Sequence, residues 1–195
     1  MTATQTVYGM DETPRGKLLS AAARLFREQG YDRTTVRDIA AAVGIQSGSI
    51  FHHFASKEDI LFGVTMEVIR FNTERMRLAC DGVADPEQRL RGLVRAELQA
   101  IVGDTQEAMI VLVRDWRCLA ADKQEQALAV RAVYEGYWLT ALRDLKAAGR
   151  LDQDPMVIRR LINGMTSWTS NWFDAGGKLD MDALTEVILS RVVDR

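Results

Sequence analysis

Long apolar runs are missing from this 195-residue chain. The two longest stretches free of Asp, Glu, Lys and Arg, Ile39 to Ser56 and Leu161 to Phe173, are broken by Ser, Asn, Gln, His or Gly where a membrane span of about 20 residues would be apolar, so no membrane partner is expected. Cysteine is scarce. Cys80 and Cys118 form no CxxC and no Cys/His pair, which removes a disulfide framework and a thiolate metal site and fits a reducing cytoplasm. The two histidines, His52 and His53, are adjacent and so point apart on a helix, with no ligand spacing nearby; no metal and no other cofactor is expected. The three prolines, Pro14, Pro86 and Pro155, all stand at helix starts, and period-2 alternation is almost absent. The opening MTATQTVYGMDETPRGK lacks the basic-then-apolar order of an export signal, so residues 1–12 are expected to be a short flexible polar arm on a cytoplasmic protein.

What is present is an ordinary globular composition, 47% hydrophobic, with 25 basic and 27 acidic residues and a formal net charge of −2. The placement of charge says more than its total. From Pro14 to Lys57 seven basic residues face three acidic ones, an excess of four positive charges, whereas the chain from Glu58 onward carries an acidic excess of four. A basic head on an acidic body points to a nucleic-acid partner.

Helical spacing and caps predict an all-α fold of about nine helices. Thr13-Pro14 opens the first, with Leu18, Ala22, Leu25 and Phe26 on one face and Gly30 at its end. Thr35-Val36-Arg37-Asp38 is a capping-box pattern for a second helix stopped by Gly44; Gln46 to Phe54 reads as a third, and Ser56-Lys57-Glu58-Asp59 opens a fourth reaching about Cys80. Gly82 to Pro86 is the clearest linker. Further helices are expected at about 86–102, 105–119, 122–148, 155–174 and 181–193.

Two short helices meeting at a glycine turn between Thr35 and Phe54 have the geometry of a helix-turn-helix, in which small Ala40 and Ala41 permit close approach and Val36, Ile39, Val43, Ile45, Ile50 and Phe54 supply a shared core. From about Pro14 to Phe62 the pattern resembles the DNA-binding head of the TetR/AcrR family of bacterial transcriptional regulators. The residues that carry it are Phe26, Gly30-Tyr31, Thr35, Ile39-Ala40, Val43-Gly44-Ile45, Ser47-Gly48-Ser49-Ile50-Phe51, His53-Phe54 and Lys57. The resemblance implies that Gln46, Ser47, Gly48, Ser49 and His52 face double-stranded operator DNA, while Thr35 and Lys57 hold phosphates at helix N-termini. Glutamine can pair bidentately with adenine, and free helix N–H groups suit phosphate oxygens. Phe51 stands where the family usually has tyrosine and has no hydroxyl for a phosphate. Since positions 46 to 54 contain no Arg or Lys, Arg33, Arg37 and Lys57 must supply the salt-dependent attraction.

These readings divide the chain into an arm at 1–12, a three-helix head at 13–58 and a ligand-binding and dimerisation bundle at 59–195. In the bundle all four tryptophans lie beyond Val113. Trp116, Trp138, Trp168 and Trp172, with Tyr134, Met109, Val113 and Met165, could line an apolar cavity between helices or fill a core or dimer seam. Asp115-Trp116-Arg117, Tyr134-x-x-x-Trp138 and Asn171-Trp172-Phe173 resemble family members that control fatty-acid or steroid breakdown, which implies a small hydrophobic effector such as a fatty acyl-CoA. Arg114, Arg117 and Arg131 are the arginines near the aromatic set for its phosphates. The resemblance also implies a homodimer through the last two helices, whose apolar stripes include Leu161, Ile162, Leu184, Val187 and Ile188. The rival from another class, a small helical enzyme using His52, His53, Asp115 or Asp174, finds no nucleophile, base and orienter at a working spacing. The expected protein is a repressor and not an enzyme.

Overall fold

The helices begin where side chains can replace the missing backbone acceptors. In the computed structural model, which describes residues 13–103, 105–174 and 176–193, Thr13 accepts from the Gly16 amide to open α1 (Pro14–Gln29), and Thr35 opens α2 (Val36–Val43). A four-residue α3 (Ser47–Ile50) precedes α4 (Lys57–Cys80). Asp85 and Asp154 each accept two backbone N–H bonds ahead of a proline, starting α5 (Pro86–Val102) and α8 (Pro155–Trp168). Between them lie α6 (Gln106–Arg114) and α7 (Ala121–Ala147), and Asp180 caps α9 (Met181–Leu189). Short 3₁₀ turns at Trp116–Cys118 and Thr169–Asn171 end what the sequence reads as longer helices. No strand occurs among the described residues, and no described helix is long and apolar enough to cross a membrane. The expected arm at 1–12 lies outside the described residues.

The third helix is shorter than its expected span of Gln46 to Phe54. After Ile50 the amides of Phe51, His52 and His53 bond to carbonyls three residues back, which is the tighter turn that a Gly- and Ser-containing segment favours.

Packing divides the chain into two compact units, one joining Met1–Phe71 to Asp104–Val130 and the other joining Asn72–Gly103 to Arg131–Arg195. The pattern of the sequence predicts a boundary after residue 58; by packing, the first unit holds α4 as far as Phe71 and takes in α6 and the start of α7. Its core gathers Leu18, Leu19, Phe26, Ile39, Ile50, Leu61 and Val111. Each such side chain contributes about 1.5–3 kcal/mol on leaving water. Gly63 marks a close approach in this core: a Cβ there would stand 2.8 Å from Leu19 Cδ2 and 3.1 Å from Phe54 Cε1. The second unit packs α5 against α8 and α9 around Leu90, Leu93, Leu98, Trp138, Leu142 and Ile162.

Candidate DNA-binding head and effector unit

The head is built on two turns. At the first, α1 ends at Gly30, and the buried Thr34 hydroxyl donates to the Gly30 carbonyl at 2.8 Å, closing the loop that leads into α2. At the second, Gly44 takes φ +78°, a left-handed conformation that costs glycine nothing, and turns the chain from α2 into α3. The Thr35 capping box is complete. Asp38 N–H donates to Thr35 Oγ1 at 3.2 Å, while the Thr35 amide and hydroxyl both donate to Asp38 Oδ2 at 2.8 Å. Those bonds from the Thr35 backbone and side chain hold the Asp38 carboxyl below its ordinary value.

With Ile50 fully buried, α3 turns its remaining residues outward. Gln46, Gly48, Phe51 and His52 are exposed, and Ser47 and Ser49 are half-buried. A Cβ on Gly48 would meet nothing of the chain within 4 Å, so its smallness serves no internal packing and leaves room for an outside surface to come close. Phe51 is 58% exposed, a large apolar ring held in water. Arg33, Thr35 and Arg37 are also exposed. Arg33 Nε donates to the Gln29 carbonyl at 2.7 Å, and Arg37 has no ion-pair partner among the described residues.

The two residues expected to position phosphates are both engaged internally. The Thr35 hydroxyl serves the capping box. The Lys57 ammonium donates to the carbonyls of Tyr31 at 2.9 Å, Thr34 at 3.1 Å and Asp32 at 3.4 Å, and lies over the Tyr31 ring. Its three donors are thereby spent on the loop between α1 and α2.

A series of polar clasps within the first unit ties α6 and the start of α7 to this head. Arg27 pairs with Glu107 at 3.2 Å, and Arg114 donates to the Phe26 and Arg27 carbonyls at the end of α1 while held by Asp115. The Ala120 amide donates to Glu58 at 2.8 Å, and Lys123 reaches Asp59 at 2.7 Å and Glu58 at 3.3 Å at the start of α4. The sequence reading did not find these contacts, since each joins residues far apart in the chain.

Nine of the residues expected around an effector fall into different settings. Met109, Val113, Trp116 and Arg117 belong to the first unit, where Met109 and Trp116 pack against its core, Val113 is 76% exposed and Arg117 is exposed. Tyr134, Trp138 and Met165 belong to the core of the second unit, and Trp168 and Trp172 are more than half exposed. Trp138 is fully buried because it packs in that core beneath the Arg159 guanidinium, 4.2 Å from its ring.

Around Arg159 lies a buried polar network that the sequence reading missed. Arg159 donates to both Glu97 oxygens at 3.1 and 2.8 Å and to Glu135 at 2.8 and 3.2 Å. Tyr134 and Thr166 hydroxyls also donate to Glu97. Burial alone would lower the Arg159 value, but the Glu97 charge and the hydrogen bonds raise it above the ordinary one, while burial and then Glu97 push Tyr134 well up. The signal was a charged residue on an apolar face: Glu97 shares the core side of α5 with Leu90, Leu93 and Val94. Glu135 and Arg159 also line a cleft of about 270 Å³ between α7 and α8, which the aromatic set does not enter.

Of the five expected seam residues, Leu161 and Val187 are 55% and 47% exposed. Ile162, Leu184 and Ile188 instead fill the chain's own core, the opposite side of the same helices, and offer almost no surface to a second subunit. Along α8 the outward line is Val157, Leu161, Gly164 and Trp168, spaced by four, three and four residues. Gly164 is exposed in mid-helix, and a Cβ there would meet nothing within 4 Å. Among the described residues no group of three His, Cys, Asp or Glu is placed to hold a metal ion.

Residues 83–194 match the family described as tetracyclin repressor-like, C-terminal domain, and residues 18–64 match the family described as bacterial regulatory proteins, tetR family. The HTH-type transcriptional repressor KstR2 of Mycobacterium tuberculosis is 32% identical over 203 residues, covering 96% of this chain and 94% of that one. A structure of the ketosteroid transcriptional regulator KstR2 from the same organism superposes with a TM-score of 0.83 at 28% identity, over 97% of this chain and 100% of the other. The structure described as superantigen PfiT superposes with a TM-score of 0.84 at 50% identity, over 93% and 97% of the two chains.

Proposed function

The chain belongs to the TetR family of bacterial regulatory proteins and is a DNA-binding transcriptional repressor rather than an enzyme; on that premise we propose that it grips a palindromic operator as a two-fold dimer and lets go when a hydrophobic effector such as a fatty acyl-CoA binds. The observation that carries this reading is the outward edge of α3. Gln46, Gly48 and His52 contribute nothing to the core, yet they stand on or beside a short helix fixed by Ile50 and by two capped neighbours. Such an edge suits a major groove, with glutamine able to read adenine and Gly48 admitting close approach. Arg33 and Arg37, also exposed on the head, provide sequence-independent attraction to phosphates. For Thr35 and Lys57 we assign the phosphate contact to free backbone N–H groups at the starts of α2 and α4, because the side chains are already bonded.

A dimer is supported by the apolar line Val157, Leu161 and Trp168 on α8, with Val187 on α9. Gly164 in that line would let a partner helix come close where the chain itself does not require a glycine. A hydrophobic effector is supported by the relative described as a ketosteroid transcriptional regulator. Release would follow from a shift of population: the effector favours an arrangement of the two heads that no longer fits successive major grooves. The polar clasps from α6 and α7 to α1 and α4 give that shift a firm hold on the head.

Gel-shift titration of the DNA upstream of the protein's own gene, with and without fatty acyl-CoAs of increasing length, tests the reading. The expected result is a retarded complex that acyl-CoAs dissolve, with potency rising by about 0.8 kcal/mol per buried methylene until the site is full. Release by small polar compounds without a chain-length trend would discard the lipid effector and keep the DNA-binding head.

A further inference from the structure

The cleft between α7 and α8 carries more positive charge than the fold uses. It is lined by Arg131, Glu135 and Leu139 of α7 and by Met156, Arg159, Arg160 and Asn163 of α8. Arg159 is not available to a ligand, since its guanidinium is committed to Glu97 and Glu135. That commitment makes it a fixed wall, packed on Trp138, whose buried indole N–H has no acceptor among the described residues. Arg160 is different: it is exposed and has no ion-pair or hydrogen-bond partner among the described residues. Arg131 is half exposed and holds Glu135 only at 3.6 Å, an i,i+4 surface pair that is readily exchanged. Two guanidinium groups therefore flank one mouth from facing helices, with a neutral amide, Asn163, three residues on from Arg160.

We propose that this cleft binds the phosphate end of the effector, Arg131 and Arg160 gripping its oxygens while Glu135 is retained by Arg159. The inference rests on the proposed acyl-CoA effector and names where its anionic part is held. Guanidinium forks match phosphate geometry bidentately, and two of them answer a diphosphate or a ribose phosphate better than a lone carboxylate. The size agrees. A volume of about 270 Å³ admits a phosphorylated group, and the cleft is open to solvent on one side. Leu139 and Met156 supply an apolar margin along which the remainder can leave. The site borders the proposed dimer line on α8: Met156 and Asn163 lie about 100° round the helix from it, and Arg160 stands at its edge, three residues from Val157 and four from Gly164.

The test is calorimetric titration of the full chain with coenzyme A, with adenosine 3′,5′-bisphosphate and with octanoate. Coenzyme A and the bisphosphate should bind the unaltered protein, and Arg131→Ala and Arg160→Ala should each weaken both by at least about tenfold, the loss expected for a charge-assisted contact. Octanoate should be unaffected by either change. Arg143→Ala, which removes an exposed charge outside the cleft, should leave all three ligands as they were. Failure of both phosphate ligands to bind, binding by the two cleft variants as tight as by the unaltered protein, or an equal loss in Arg143→Ala would each overturn the proposal. Arginine-dependent binding of coenzyme A with no operator release by any acyl-CoA would uphold the cleft and end the effector reading. Release by acyl-CoA that Arg131→Ala and Arg160→Ala leave unchanged would do the reverse.

Discussion

The Lys57 ammonium sits 4.2 Å from the centre of the Tyr31 ring and donates to the carbonyl oxygen of the same residue at 2.9 Å. A cation at the start of α4 thus pins the loop between α1 and α2, and with it the angle at which α2 presents α3. Lys57→Ala should lower the unfolding free energy by about 1–3 kcal/mol and weaken operator binding for all sequences alike. Urea denaturation beside a DNA-binding curve checks both. Unchanged stability with lost affinity would move the ammonium from the loop to a phosphate.

Reading and gripping should separate by mutation. Gln46→Ala is expected to relax preference at one base pair, worth about 1–3 kcal/mol of discrimination. Arg37→Ala should instead weaken every sequence and reduce the slope of log affinity against log salt by about one. Binding to an operator library at several salt concentrations distinguishes them, and a changed preference in Arg37→Ala would reverse the roles.

Leu161→Asp should yield folded monomers that no longer bind operator, since Leu161 faces outward. Leu184→Asp should unfold the second unit, because its side chain is buried and a charge there has no partner. Sedimentation and far-ultraviolet circular dichroism read the two outcomes. A dimeric Leu161→Asp protein would place the seam elsewhere.

Glu97 is the hub of the buried network and Glu135 its partly exposed edge. Glu97→Ala should cost about 3–5 kcal/mol, because Arg159 is left with an uncompensated buried charge. Glu135→Ala should cost about 1 kcal/mol. Chemical denaturation of the two variants gives the ratio directly; equal costs would show that water reaches Arg159.

Asp59 accepts from Lys123 and Ser56, and these bonds hold its carboxyl below the ordinary value. The folded protein therefore releases this proton more readily than the unfolded chain. The stability it contributes is full above about pH 4 and is lost as pH falls through the lower folded value. Asp59→Asn should be less stable at neutral pH and show a flatter acid limb. A variant with the same acid limb as the parent would mean that the bond to Lys123 persists only weakly in solution.

Helix starts were legible because capping is local. Thr13, Thr35, Asp85, Asp154 and Asp180 each bond within three residues of themselves, so their pattern lies in adjacent letters. The end of α3 was not, since Phe51 to His53 keep turning with a different bond spacing. Apolar period gave burial but not the copy that does the burying: Ile188 and Val187 are neighbours, yet one fills the core and the other faces out. The same ambiguity covers Trp138, whose spacing from Tyr134 fits a cavity wall and a core alike. The clasp of Arg114 on Phe26 and the pairing of Arg159 with Glu97 span tens of residues, and no local pattern announces them.

The brevity of α3 bears on how such a protein changes partners over generations. At four residues it is too short to hold itself, so its shape is inherited from Ile50 and the turns on either side. Substitutions at Gln46, Gly48 or His52 leave that anchor untouched and incur little folding penalty. A lineage can therefore wander through many operator sequences without losing the scaffold, and duplicated copies can diverge in the genes they govern by altering only this exposed edge.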